Sequence, residues 1–393
     1  MRRRGLAALA LALLLPACLR LIPQRPPPTA SPAMQTALQL GVTRGSGLDR
    51  LDFAPQDAAA ALVAFRDSCP RLTSRTDASG LTRPADWAPA CVAAADWPDA
   101  SAAAFFRQWF EAARVGDGAA FATGYYEPEL AGVRQRQPGF EVPIYGLPVD
   151  LVRAEPGEAA PLSDGRMPIG RRDESGRFVP YHDRAAIEQG ALANRGLEIA
   201  WAADAAEVFF LQVQGSGRLR APDGSVIRIG YAGANGHAYT GIGAVMRDRG
   251  LVGEGPGQYP GSMQGILRYI HDHPEDGRAL MCENRSFVFF RELGPNERGP
   301  VGALNVPVRG QSSVAVDPRF VPLGAPVWLA LDRDEADGLW IAQDIGGAIK
   351  GANRFDTFWG TGDAAGEIAG GMSARGQALV LVPRGTLDRL RVQ

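Results

Sequence analysis

The residues best suited to chemistry lie between positions 341 and 360, IAQDIGGAIKGANRFDTFWG, where Asp344 and Asp356 flank a glycine-rich turn that carries Lys350. Two carboxylates beside a flexible turn can divide proton donation and charge stabilisation between them, because a neighbouring charge and burial shift a carboxyl pKa. A third acid belongs to the group. The short apolar run Val314-Ala315-Val316 breaks at Asp317-Pro318, before Pro322-Leu323-Gly324 turns the chain into Val327-Trp328-Leu329. Any one of these aspartates would be ordinary turn chemistry. Three within forty residues, with no metal-type partners nearby, point to a site.

The elements that must position these acids are short strands. Leu339 to Ala342 reads as a strand ending at Asp344, with Asp356 expected just past the loop. Phe287 to Phe290, Gly302 to Pro307, Val314 to Val316, Val327 to Leu331 and Ala378 to Val382 are further strands, with a helix near 363–370. Many short strands separated by Pro and Gly turns predict a small closed barrel. Upstream, 56–67 and 99–116 have apolar residues at helical spacing, and the stripe Phe105, Phe106, Trp109, Phe110, Ala113 is read as core. Residues 181–192, 241–250 and 261–273 are three more helices by the same pattern.

From Val208 the sequence alternates. Phe209, Leu211 and Val213 would share one face of a strand, and Phe210, Gln212 and Gln214 the other. Gly215-Ser216-Gly217 follows, without the third glycine of a dinucleotide loop, and Pro222-Asp223-Gly224 marks a hairpin. Small residues beside paired glutamines suit a polyhydroxylated ligand. His237, in a polar turn with Asn235 and Tyr239, is a site candidate, whereas His271 and His273 lack the partners of a metal site and are read as solvated.

AVDPRFVPLGAPVWL followed by AQDIGGAIKGANRFDTFWGTGDAAG resembles the three-aspartate, double-psi β-barrel domain of the membrane-bound lytic murein transglycosylase A family. TGYYEPEL, EVFFLQVQGSGRL and YAGANGHAYTGIG extend the resemblance over roughly residues 120–383. It implies a mainly β fold with helices. A double-psi barrel domain (37–125 and 231–393, with the three-aspartate motif at 301–383) would carry a second β-rich domain inserted at 126–230, and a cleft between them would receive a glycan strand. It also implies catalysis by Asp356 as a single acid then base, supported by Asp344 and Asp317, with Thr123, Tyr125, Tyr126, Gln212, Gln214, Gly215, Ser216, Gly217, Asn235, His237, Tyr239, Lys350 and Trp359 lining the substrate site. No cofactor or metal is expected. Lys350 would alternatively pair with Asp344. The implied activity is cleavage of the bond between N-acetylmuramic acid and N-acetylglucosamine with formation of a 1,6-anhydro sugar. A barrel that only holds wall polysaccharide is the alternative. An aspartic protease is disfavoured, since Ile345-Gly346 and Thr357-Phe358 follow the two acids in place of paired Asp-Thr/Ser-Gly signals.

The N-terminus sets the compartment. Arg2-Arg3-Arg4, an apolar run from Leu6 to Leu15 and Pro16-Ala17-Cys18 form a secretion signal (1–18) too short to span a bilayer, and its end resembles a lipoprotein cleavage site that would leave Cys18 lipidated. Residues 19–36, rich in proline, read as an extended tether of about 40 Å. The expected location is the periplasmic side of an outer membrane, with peptidoglycan strands and wall-synthesis proteins as expected partners. In an oxidising compartment Cys69 and Cys91 would close a loop of about twenty residues, leaving Cys282 as a small buried thiol. The 393-residue chain is 46% hydrophobic and carries 41 basic against 43 acidic residues, so it has material for two cores and no general attraction to nucleic acid.

Overall fold

The computed structural model describes residues 35–162, 165–294 and 299–392; the expected signal, Cys18 and nearly all of the tether lie outside them. Six strands close into a ring: β1 (Ala119–Glu127), β2 (Ser313–Val316), β3 (Pro326–Leu331), β4 (Gly338–Asp344), β5 (Arg354–Thr361) and β6 (Ser373–Pro383). Around the barrel they run β1-β5-β2-β4-β3-β6 and back to β1, with β1–β5 and β2–β4 parallel and the other pairs antiparallel. Closure leaves these strands no free edge, and a barrel this small is filled by its own side chains. Val314, Val316, Val327, Leu329, Ile341, Phe355 and Val380 are all buried in one core.

The helices around residues 55–109 cover this barrel. Pro55–Leu72 starts on a proline at its first turn, where the missing N–H costs nothing. Phe65 packs between Phe105, Phe106 and Phe110 with ring centroids 5.4 to 6.5 Å apart. Cys69 and Cys91 are joined, tying this helix to Pro84–Asp96. The aromatic stripe is core, but the helix expected over 99–116 stops at Trp109, and Phe110–Val115 is a strand paired with β6. Phe110 is already extended, and Gly116 and Gly118 then take positive φ to return the chain into β1.

A second, six-stranded sheet runs in the order 288–292, 226–234, 216–220, 129–133, 198–202 and 142–145. It extends past the expected limit at 230, because Val288–Glu292 pairs antiparallel with Val226–Ala234 and the chain reaches it through three helices, Ile242–Asp248, Met263–Asp272 and Pro274–Glu283. The hairpin at Pro222-Asp223-Gly224 joins two of its strands, with Gly224 at φ 85°.

The strand expected from Val208 is a helix, Ala205–Gln214. Asp204 caps it by accepting from the Glu207 N–H, and Gly215 ends it at φ 83°. Val208 and Leu211 pack on the second sheet while Ala206 and Phe209 pack on the three helices. A helix apolar on two sides fills the positions that distinguish its period from a strand's, and the alternation is then accidental. The helix expected at 181–192 is a short turn, Arg184–Ala186, continued by one π turn, Ile187–Ala191, in which Gly190 takes φ 100°. Gly302 to Pro307 forms an isolated bridge between Val301 and Pro307 in place of a strand.

Candidate active site

The barrel sets the acids by register. Ala315 on β2 faces Asp344 on β4 and Asp356 on β5, and Asp356 faces Thr123 on β1. Asp344, Ala315, Asp356 and Thr123 therefore stand in one row across four neighbouring strands, with side chains on a common face. Strand spacing puts the two aspartate backbones about 10 Å apart. Asp344 ends its strand as expected, but Asp356 lies within β5, not beyond the loop.

The floor below the carboxylates is apolar, formed by Tyr125, Val308, Ala315, Ile349 and Phe358, with the Tyr125 and Phe358 rings 4.9 Å apart. This surrounding protein removes water from both acids and pushes their pKa values up. For Asp344 the rise is opposed by donors: the Ala303 and Ile345 N–H groups reach Oδ1 at 2.9 Å each, and the Tyr125 hydroxyl reaches Oδ2 at 3.0 Å. For Asp356 desolvation carries the pKa to about 6; Thr123 and Arg354 oppose the rise and Asp344 adds to it. Asp344 is held by three donors that favour its charged form, and its charge raises the pKa of Asp356. One acid is thus poised near neutrality beside one carboxylate, an arrangement able to donate and then retrieve a proton.

Thr123 donates to Asp356 Oδ1 at 2.5 Å, so it is a direct partner of the acid. Tyr239 belongs to the same neighbourhood: burial, and then the charge of Asp356, push its hydroxyl pKa up, and it packs over Gly347. Asp317 does not join the row. It is buried, pairs with Arg319 at 2.5 Å and accepts from the Gly351 N–H at 2.8 Å, and these donors outweigh desolvation to hold its pKa low. Its role is to anchor the glycine-rich turn. Lys350 is exposed and makes no ion pair with Asp344, whose oxygens are taken by Tyr125 and backbone.

Several expected substrate contacts are structural. Trp359 faces the core, with its indole N–H on Thr357 Oγ1 at 2.9 Å and its ring edge-on to Trp340. Gln212 is buried and accepts from Arg184 at 2.7 Å, while Gln214 accepts from the Tyr126 N–H at 3.0 Å. The glutamines thus join the second sheet's helix to its surroundings. Tyr126 itself is half-buried and packs beside Gly366. Gly215 caps that helix, and Ser216 and Gly217 open the next strand, where a Cβ on Gly217 would lie 2.3 Å from Leu211. Asn235 is fully buried, bridging the carbonyls of His182 and Arg285 to the Phe287 N–H. His237 contacts the Tyr181 carbonyl at 2.8 Å. His271 is exposed and paired with Asp204. Cys282 is unpaired, with burial and Glu188 raising its thiol pKa to about 11.

Sequence reasoning missed Arg354, which donates to Thr123 Oγ1 at 2.9 Å. Its signal was available: once 354–361 is a strand, Arg354, Asp356 and Phe358 share a face.

Two family models match the chain, the MltA specific insert domain over residues 121–291 and the 3D domain over 312–382. The chain is 36% identical over 271 residues to the membrane-bound lytic murein transglycosylase A of Escherichia coli K12, an alignment covering 66% of this chain and 64% of that protein. The match therefore spans just under two thirds of that relative's length. A Vibrio cholerae protein of the same name is 32% identical over 276 residues, covering 66% of each chain. Among solved structures, MltA from Neisseria gonorrhoeae matches with a TM-score of 0.71 at 37% identity, covering 88% of this chain and 93% of its own. E. coli MltA with bound chitohexaose matches at 0.62 and 28% identity, covering 87% and 94%. Both the sequence motifs and the fold thus place this chain in the membrane-bound lytic murein transglycosylase A family.

Proposed function

We propose that this protein is a lytic transglycosylase that cleaves the β-1,4 bond between N-acetylmuramic acid and N-acetylglucosamine in peptidoglycan and leaves 1,6-anhydromuramic ends. The observation that carries this reading is Asp356, held to about 6 in a row with an Asp344 that is bound by three hydrogen-bond donors. Most glycosidases need a second carboxylate to act as nucleophile or to activate water. Asp344 is fully engaged by protein donors and suits a different task, holding negative charge opposite the developing oxocarbenium ion. Asp356 then performs both proton transfers: protonated, it donates to the leaving glycosidic oxygen; ionised, it takes the proton of the muramic C6 hydroxyl as that oxygen bonds to C1. The bonds balance without water. A relative of the same fold binds chitohexaose, a β-linked oligosaccharide, which supports a glycan strand as the ligand.

The protein's place is proposed with it: export, lipidation at Cys18 and attachment to the periplasmic face of an outer membrane, within reach of the wall and of proteins that build it. If Cys18→Ser leaves processing and membrane fractionation unchanged, the anchor is excluded. The activity is tested by digesting purified wall and weighing the released muropeptides. Products lighter by one water than hydrolysed ends are expected. Hydrated ends would mark a hydrolase, and binding without release a wall-binding protein, and either result overturns the proposal.

A further inference from the structure

Arg354 and Asp356 rise from the same face of β5, two residues apart. The guanidinium is fixed from several sides. It lies over the Phe121 ring at 4.8 Å, a ring that Arg375 also covers at 4.9 Å; Nη1 donates to the Phe355 carbonyl, and Nη2 donates to Thr123 Oγ1 at 2.9 Å. A hydroxyl carries one proton and accepts through its lone pairs. With a guanidinium N–H pointed at it, the Thr123 hydroxyl turns its own proton away from Arg354, and Asp356 Oδ1 lies 2.5 Å off to receive it. An oxygen that accepts this bond is not the one that carries the acid proton.

We propose that Arg354 is a positioning residue for the reaction, which orients the Thr123 hydroxyl onto Asp356 Oδ1 and so assigns the acid proton, and both proton transfers, to Oδ2. Without Arg354 the hydroxyl is free to reverse and accept from a proton on Oδ1, which strands that proton on the inner oxygen. The inference rests on the reading of Asp356 as the general acid, but it concerns a residue outside the acids themselves. The titratable groups facing Asp356 are Arg354 on its own strand, Asp344 on β4, Tyr125 on β1 and Tyr239 from the segment between the strand Val226–Ala234 and the helix Ile242–Asp248. Arg354 is the cation among them, and its charge favours ionised Asp356.

The test is the pH profile of kcat for anhydro-muropeptide release by Arg354→Gln, Arg354→Lys, Thr123→Val, Thr123→Ser and the double variant Arg354→Gln/Thr123→Val. Arg354→Gln is expected to lower kcat by about tenfold or more, the worth of a hydrogen bond involving a charged group. KM should change little, and the alkaline limb should move to higher pH. Arg354→Lys should restore the limb, and Thr123→Ser should behave as wild type. Thr123→Val should lower kcat and raise the limb, and adding Arg354→Gln to it should cost no further kcat. A wild-type kcat and limb in Arg354→Gln overturn the proposal. So does a rise in KM alone, which would make Arg354 a substrate contact, or a full additional loss of kcat in the Thr123→Val background, which would make it act independently of Thr123. Should Arg354→Gln fail to fold, an unchanged limb in Thr123→Val overturns it alone. Wild-type protein that releases hydrated products refutes the transglycosylase reading instead, so the two failures are distinct.

Discussion

Replacing Asp356 by Asn separates the chemistry of this acid from its cost to the fold. In the folded protein its pKa stands at about 6, against 3.8 for the ordinary side chain, and the main cause is desolvation. Well below pH 3.8 the carboxyl is protonated in both the folded and unfolded chains, and the difference contributes nothing. As pH rises the unfolded chain releases its proton first, so folding is progressively disfavoured until the folded group also ionises. Above about pH 7 the wild-type protein therefore carries a penalty of about 3 kcal/mol that Asn does not. Asn keeps an Oδ1 to accept from Thr123, so the hydrogen bond at 2.5 Å need not be lost. For a domain of this size such a gain amounts to roughly 4 °C in Tm. Thermal melts of the two proteins from pH 3 to pH 8 should converge at the acid end and diverge through pH 6, with Asn the more stable. On purified wall the same variant should lose a factor of about 10² to 10⁴ in turnover, the usual contribution of general acid–base catalysis, while still binding glycan. A stability difference that is the same at pH 4 and pH 8 would refute the desolvation argument. Near wild-type release of anhydro-muropeptides by Asp356→Asn, with abolition by Asp344→Asn, would move the acid to Asp344.

Asp344→Asn removes a negative charge that raises the Asp356 pKa, so the alkaline limb of the rate profile should move to lower pH with only partial loss of rate. Gly124→Ala would bring a Cβ within 2.8 Å of the Ala369 Cα and 2.9 Å of the Trp359 indole nitrogen. It should lower stability by about 1 to 3 kcal/mol and reduce turnover by displacing the neighbouring Thr123, as read by melts and wall digestion together. Gln214→Ala leaves the Tyr126 N–H without its partner, which should cost about 1 to 3 kcal/mol in denaturant titration. A loss of glycan turnover at unchanged stability would return that glutamine to a role in substrate contact.

The sequence by itself determined four of the six barrel strands, β2, β3, β4 and β6, whose apolar residues end in Pro, Gly or Asp, but not β1 or β5, and it drew attention to Asp344 and Asp356 because two acids flanking a glycine-rich turn are conspicuous. It also carried the family, through long motifs in order, and the pairing of Cys69 with Cys91 from their spacing and compartment. It could not distinguish the helix Ala205–Gln214 from a strand, since a helix packed on two sides lacks the polar stripe that reveals its period. The Asp204 cap and Gly215 stop were present in the sequence, but local alternation outweighed them. Only the tertiary structure decided which acids work together. Asp317 is as near to Asp344 in sequence as many true partners, yet Arg319 and the Gly351 N–H bind it into the turn. Thr123, more than two hundred residues from Asp356, becomes its direct partner because β1 lies parallel to β5 with those two residues in register. Strand register in a closed barrel is set by the packing of all its strands at once. Which side chains share a row across neighbouring strands is therefore a property of the assembled ring and not of any one segment.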